Sequence, residues 1–188
     1  MIEFLRLVWR RAILYNKFLL SVLAIYNRIF RPVESIALIV WPPANHLVDQ
    51  IRGRVNELCE LEKHIRILIS ENEIESVIRE VYQVDFASTS KIKYKIERIV
   101  EHDPILNIFL VRFLHPRREV QDIFNRTRCL DVHSVKGIIR SEFKDLVDNY
   151  IFDIVIHSTE KTSQTNTVLQ VLSRRGVFEY VGDSETSI

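Results

Sequence analysis

Short apolar runs alternate with stretches of helical spacing along most of this chain. Ile36–Trp41 (IALIVW) is a continuous apolar run closed by Pro42–Pro43. It predicts a strand, because proline brings no N–H to a ladder. After Asn45, a possible cap, the residues Leu47, Val48, Ile51, Val55, Leu58 and Leu61 recur at helical intervals. Ile65–Ile69 predicts a second strand, and Ser70 to Glu73 then has capping-box form ahead of Ile74, Val77, Ile78 and Val81. Tyr82–Phe86 reads either as a third strand or as the end of that helix. Ser88–Thr89–Ser90 opens a helix with Ile92, Ile96 and Ile99 on one face, and Ile108–Leu114 predicts a strand stopped by His115–Pro116. Residues 116–137 read as a partly helical excursion. A helix around Val135–Phe143 follows, then a strand over Ile151–Ile156, a helix from Thr162 or Ser163 through Leu172, and a short strand at Val177–Val181.

Alternation of this kind predicts one α/β domain with helices packed on a sheet. Four or five short strands fit a ferredoxin-like arrangement or a small mixed or doubly wound sheet, and element order alone leaves both open. The expected organisation is a helical arm over residues 1–31, an α/β domain over 32–182 and a frayed tail over 183–188.

Composition narrows the chemistry. With only 4 glycines in 188 residues, neither a G-x-x-x-x-G-K-[ST] nor a G-x-G-x-x-G loop occurs, which argues against standard P-loop and dinucleotide folds. Cys59 and Cys129 lie far apart, and with the 6 histidines they form no metal-ligand spacing. A reducing, cytoplasmic setting is the expectation, with no structural metal. Net charge is +1, yet residues 1–31 carry six cations against Glu3, so the remainder is acidic. This basic, apolar arm supports three readings: packing on the domain or a second subunit, lying on an anionic membrane surface, and, ranking last, contact with nucleic acid.

His157 carries the strongest chemical signal. It is expected at a strand end, followed by Ser158, Thr159, Glu160 and the start of a helix. Ligands bind at such rims in open α/β sheets, and a neutral imidazole there can take a proton or a phosphoryl group. Arg140, on the preceding helix, suits bidentate phosphate contact. Arg117, Arg118, Arg126 and Arg128 are further phosphate-binding candidates on the excursion. The other histidines read as solvated, with His115 singled out as a second strand-end histidine that could share the rim.

Ile139-Arg140-Ser141-Glu142-Phe143 followed by Val155-Ile156-His157-Ser158-Thr159-Glu160 resembles the C-terminal motifs of the nucleoside diphosphate kinases. The resemblance implies a ferredoxin-like core, magnesium with a nucleotide, a homo-oligomer, His157 as a transiently phosphorylated catalytic residue and Arg140 as a phosphate ligand. It covers about 25 of the 188 residues. Trp41-Pro42-Pro43 stands where the family has Lys-Pro-Asp, Ile154 where it has asparagine, and Val168 where it has a supporting glutamate. The expected function is the handling of a phosphate ester or nucleotide, with phosphoryl transfer through His157 as its enzymatic form. The alternative is a non-catalytic interaction protein recruited to a membrane or partner through residues 1–31.

Overall fold

The computed structural model describes residues 33–83, 89–120, 127–151 and 153–181. The arm and the tail lie outside the described residues. The body is a single mixed α/β domain built on a five-stranded sheet. Its strands are β1 (Glu34–Val40), β2 (Glu60–Ile69), β3 (Ile105–Phe113), β6 (Ile156–Ser158) and β7 (Gly176–Tyr180), in the order β6-β1-β3-β2-β7, with every neighbouring pair antiparallel. A separate hairpin pairs β4 (Arg118–Val120) with β5 (Thr127–Cys129). The helices are α1 (Val48–Leu58), α2 (Ile74–Gln83), α3 (Thr89–Ile99), α4 (Leu130–Phe143) and α5 (Thr162–Ser173).

Strand alternation sorts the core into two layers. Ile36, Leu38 and Val40 of β1 face α1 and α4, while Ala37, Ile39 and Trp41 face α2, α3 and α5. Burial on both faces explains why β1 reads as an unbroken apolar run. Pro42 and Pro43 start a 3-10 turn through Leu47 instead of a plain stop. At the far edge β7 lies tight on β2: a Cβ on Gly176 would come within 2.5 Å of the Ile67 side chain and 3.1 Å of the Leu68 carbonyl.

Two expectations need correction. The segment 116–137 is helical only from Leu130, where α4 begins, and before it carries the strands β4 and β5, which were not expected; the Arg117 carbonyl accepts the Leu130 N–H at 2.8 Å. The strand expected over 151–156 forms instead at Ile156–Ser158. Asp153 takes a left-handed backbone (φ 62°), and the Ile154 N–H closes a turn onto the Ile151 carbonyl at 3.2 Å. His157 is therefore central in its strand. Tyr82 belongs to α2, in agreement with the second of the two readings, and residues 84–88 lie outside the described residues.

Candidate functional site

β6 is an edge strand, and α4 runs beside it. Leu38, Ile39 and Val40 lie opposite Ser158, His157 and Ile156. In an antiparallel ladder alternate residues turn their backbone groups inward. Val155 and Thr159 bond inward, to Trp41 at 3.3 Å and Ala37 at 3.0 Å. The Ile156 carbonyl consequently points out of the sheet, where Arg140 meets it with Nε at 3.1 Å and Nη2 at 2.8 Å. Nη1 of the same guanidinium lies 3.1 Å from Asp153 Oδ2. Arg140 thereby caps a sheet edge that would otherwise offer a bare acceptor, and burial pulls its pKa down while Asp153 opposes that.

His133, Lys136 and Arg140 repeat at i, i+3 and i+7, which stacks them on one face of α4. Lys136 is buried, with Nζ 3.6 Å from Glu160 Oε1. The other oxygen of Glu160 accepts the Cys129 N–H at 2.8 Å. Arg128 Nη2 donates to His133 Nδ1, so that nitrogen carries a lone pair and His133 is neutral. Burial, and then the charges of Lys136, Arg128 and Arg140, push His133 down to about 4, with Asp153 pulling the other way. The histidine expected to be solvated is thus half-buried among cations. Among the described residues, Arg128, Lys136 and Arg140 stand beside the carboxylates of Asp153 and Glu160 here.

One pH effect follows from this histidine. Its folded pKa lies below the unfolded value near 6.5, so the unfolded chain binds the proton more readily. Stability is expected to fall as pH drops from 6.5 towards 4, and His133→Gln should flatten that window in urea titrations at each pH. An unchanged pH slope in the variant would show that His133 does not govern it.

His157 projects from the opposite face of β6, into a cluster of rings. Its ring centroid lies 4.7 Å from Tyr82, edge-on, and 6.0 Å from Trp41, while Trp41 and Tyr82 stack at 5.5 Å. Exposures of 5% for His157, 3% for Tyr82 and 0% for Trp41 leave little of the cluster open to water. Lys95 Nζ donates to the Tyr82 hydroxyl at 3.1 Å and lies 4.6 Å from its ring centroid.

The remaining sequence candidates are tied into the frame. Ser158 is buried, and its hydroxyl has no partner among the described residues. Thr159 Oγ1 accepts the Ala37 N–H at 3.0 Å and meets Thr165 Oγ1 at 2.6 Å. Arg117 clamps Asp131, with Nε at 2.8 Å and Nη2 at 2.6 Å. Arg118 Nη2 lies 2.8 Å from Glu34, whose other oxygen takes the Thr162 N–H and hydroxyl, each at 2.7 Å. These two arginines gather at the β1 start, and the register separates them from His157. His115 lies there too, beyond Phe113, which is opposite Glu34, whereas His157 is opposite Ile39. Five strand residues span roughly 17 Å, so the two histidines share no rim. Arg126 lies outside the described residues.

Sequence reasoning named Arg140 and Arg128 but missed Lys136 and His133. Their i, i+3, i+7 relation to Arg140 was the available signal. Among the described residues no group of three His, Cys, Asp or Glu side chains is placed to hold a metal ion, and no helix is long and apolar enough to cross a membrane. No family model and no curated protein matches the sequence. Among solved structures, a nucleoside-diphosphate kinase from Borrelia burgdorferi, in a transition-state mimic with vanadate and ADP bound, is similar over 80% of this chain and 94% of that chain. Identity is 11% and the TM-score 0.44, a level of likeness that assigns neither an activity nor a site residue.

Proposed function

We propose that this domain binds a phosphate ester or nucleotide at the α4–β6 edge and does not pass the phosphoryl group through His157. The observation that carries the reading is the row of Arg128, Lys136 and Arg140 beside an uncharged His133, in a partly buried setting where an anion gains more than it would in open water. The ferredoxin-like order of the inner strands and the motif resemblance around Arg140 and His157 agree with phosphate chemistry. What separates binding from transfer is the surroundings of His157. A nucleophile must meet phosphorus in line, and Trp41 and Tyr82 pack against this ring. Magnesium would arrive with the nucleotide phosphates, and no residue is assigned to it.

Calorimetry with ADP, ATP and inorganic phosphate in magnesium buffer tests the proposal. Saturable binding is expected in the wild type. Lys136→Met, which keeps the apolar stem and removes the charge, should weaken it by about tenfold or more, the scale of one charge-assisted contact. His157→Gln should leave it within about twofold. Absence of heat with all three ligands would overturn the proposal, as would equal affinity in Lys136→Met.

A further inference from the structure

At the sheet edge opposite β6, β7 pairs with β2 alone among the described residues. Two bonds identify the backbone groups it leaves over. The Val181 N–H donates to the His64 carbonyl at 3.2 Å, and on the other side of β2 the Ile69 N–H donates to the Pro104 carbonyl at 2.9 Å. Successive residues of an antiparallel strand bond to alternate sides. Val177 and Glu179 therefore turn their backbone groups to Leu68 and Arg66, while Gly176, Phe178 and Tyr180 turn N–H and carbonyl outward.

Exposed edges are commonly guarded by lysine, proline or a bulge. GVFEY has neither lysine nor proline, and its register with β2 is unbroken. Its single charge, Glu179, has Arg66 Nη1 at 3.8 Å. Val177 and Tyr180 are the two most exposed large apolar side chains among the described residues, at 66% and 69%, and Leu68 opposite Val177 is exposed too.

We propose that two copies of this chain associate through β7, antiparallel, about a twofold axis at Phe178. Outward groups must meet outward groups, which leaves few registers. With Phe178 opposite its copy, all five residues of each strand pair. Tyr180 then lies opposite Gly176, where an aromatic ring covers the missing side chain, and Val177 lies opposite Glu179. A slide of two residues either way leaves only three residues paired, and one of the two slides also sets Glu179 directly against its copy, a repulsive pair. The sequence beyond Val181 is acidic, with Asp183 and Glu185, and in the favoured register it continues towards Arg174 of the second copy. That charge match favours a second copy over an unrelated strand. β6, at the opposite edge, takes no part.

Sedimentation equilibrium of the full chain, from low micromolar to submillimolar concentration, tests this. A reversible monomer–dimer equilibrium is expected, since two short strands make a small interface. Tyr180→Pro removes an N–H that the β2 ladder does not use. Its thermal unfolding should stay cooperative while dimerisation weakens by about tenfold or more. Val177→Glu, at an exposed side chain, sets like charges across the axis and should weaken the dimer in the same way. Adding Glu179→Lys to that variant turns the repulsion into attraction and should restore the dimer. A monomer at every concentration, an assembly that neither single variant weakens, or a double variant that stays dissociated would overturn the proposal.

Discussion

Replacing Trp41 with alanine is expected to cost about 3 to 5 kcal/mol, the range for emptying a buried indole site. Trp41 is fully buried where β1 meets the 3-10 turn, stacked on Tyr82 and beside His157. For a domain of this size the melting temperature should fall by about 10 °C or more. Trp41→Phe should cost far less, on the order of 1 to 2 kcal/mol, because a ring still stacks on Tyr82 and little polar satisfaction is lost. The indole N–H has no acceptor among the described residues, so its removal strands no bonded partner. Equal losses in the two variants, read from urea unfolding, would mean that the indole nitrogen matters more than the stacking.

Arg140→Ala is expected to destabilise the domain by about 2 to 3 kcal/mol, the scale of a charge-assisted bond lost beside an acceptor left unpaired. The Ile156 carbonyl loses both donors, Asp153 loses its ion pair, and the β6 edge opens. Because an exposed strand edge pairs with other chains, the variant should also aggregate on heating sooner than its stability loss alone explains. Arg140→Lys should recover only part of the stability, since one ammonium cannot reproduce the guanidinium fork. A variant that unfolds like the wild type would show Arg140 to be dispensable for the frame and free to serve a ligand.

Much of the frame was legible because burial is written in residue type. IALIVW reads as a strand buried on both faces, and Ile92, Ile96 and Ile99 as one helix face. β2 begins five residues earlier than its apolar run, since Glu60, Leu61, Lys63 and His64 pair with β3 around a bulge at Glu62 while this stretch lies mostly towards water. The β4–β5 hairpin was illegible because each strand has three residues, too few for a period to show. The site was half legible. Arg140 and His157 stand out in the sequence, yet which face of β6 each occupies depends on register, and a strand displaced by a few residues changes the neighbours of every side chain. Tyr82 and Trp41 reach His157 only through the pairing of β6 with β1 and the packing of α2. No spacing along the chain announces that contact.

The most direct test of binding without transfer uses ATP labelled at the γ-phosphate, incubated with magnesium and the full chain. Label retained by the native protein is counted against label that stays after denaturation at alkaline pH. Native retention that is released on denaturation is expected, weakened in Lys136→Met and kept in His157→Gln. Base-stable, acid-labile label that disappears in His157→Gln would identify a phosphohistidine and contradict it, and no native retention would remove phosphate binding itself.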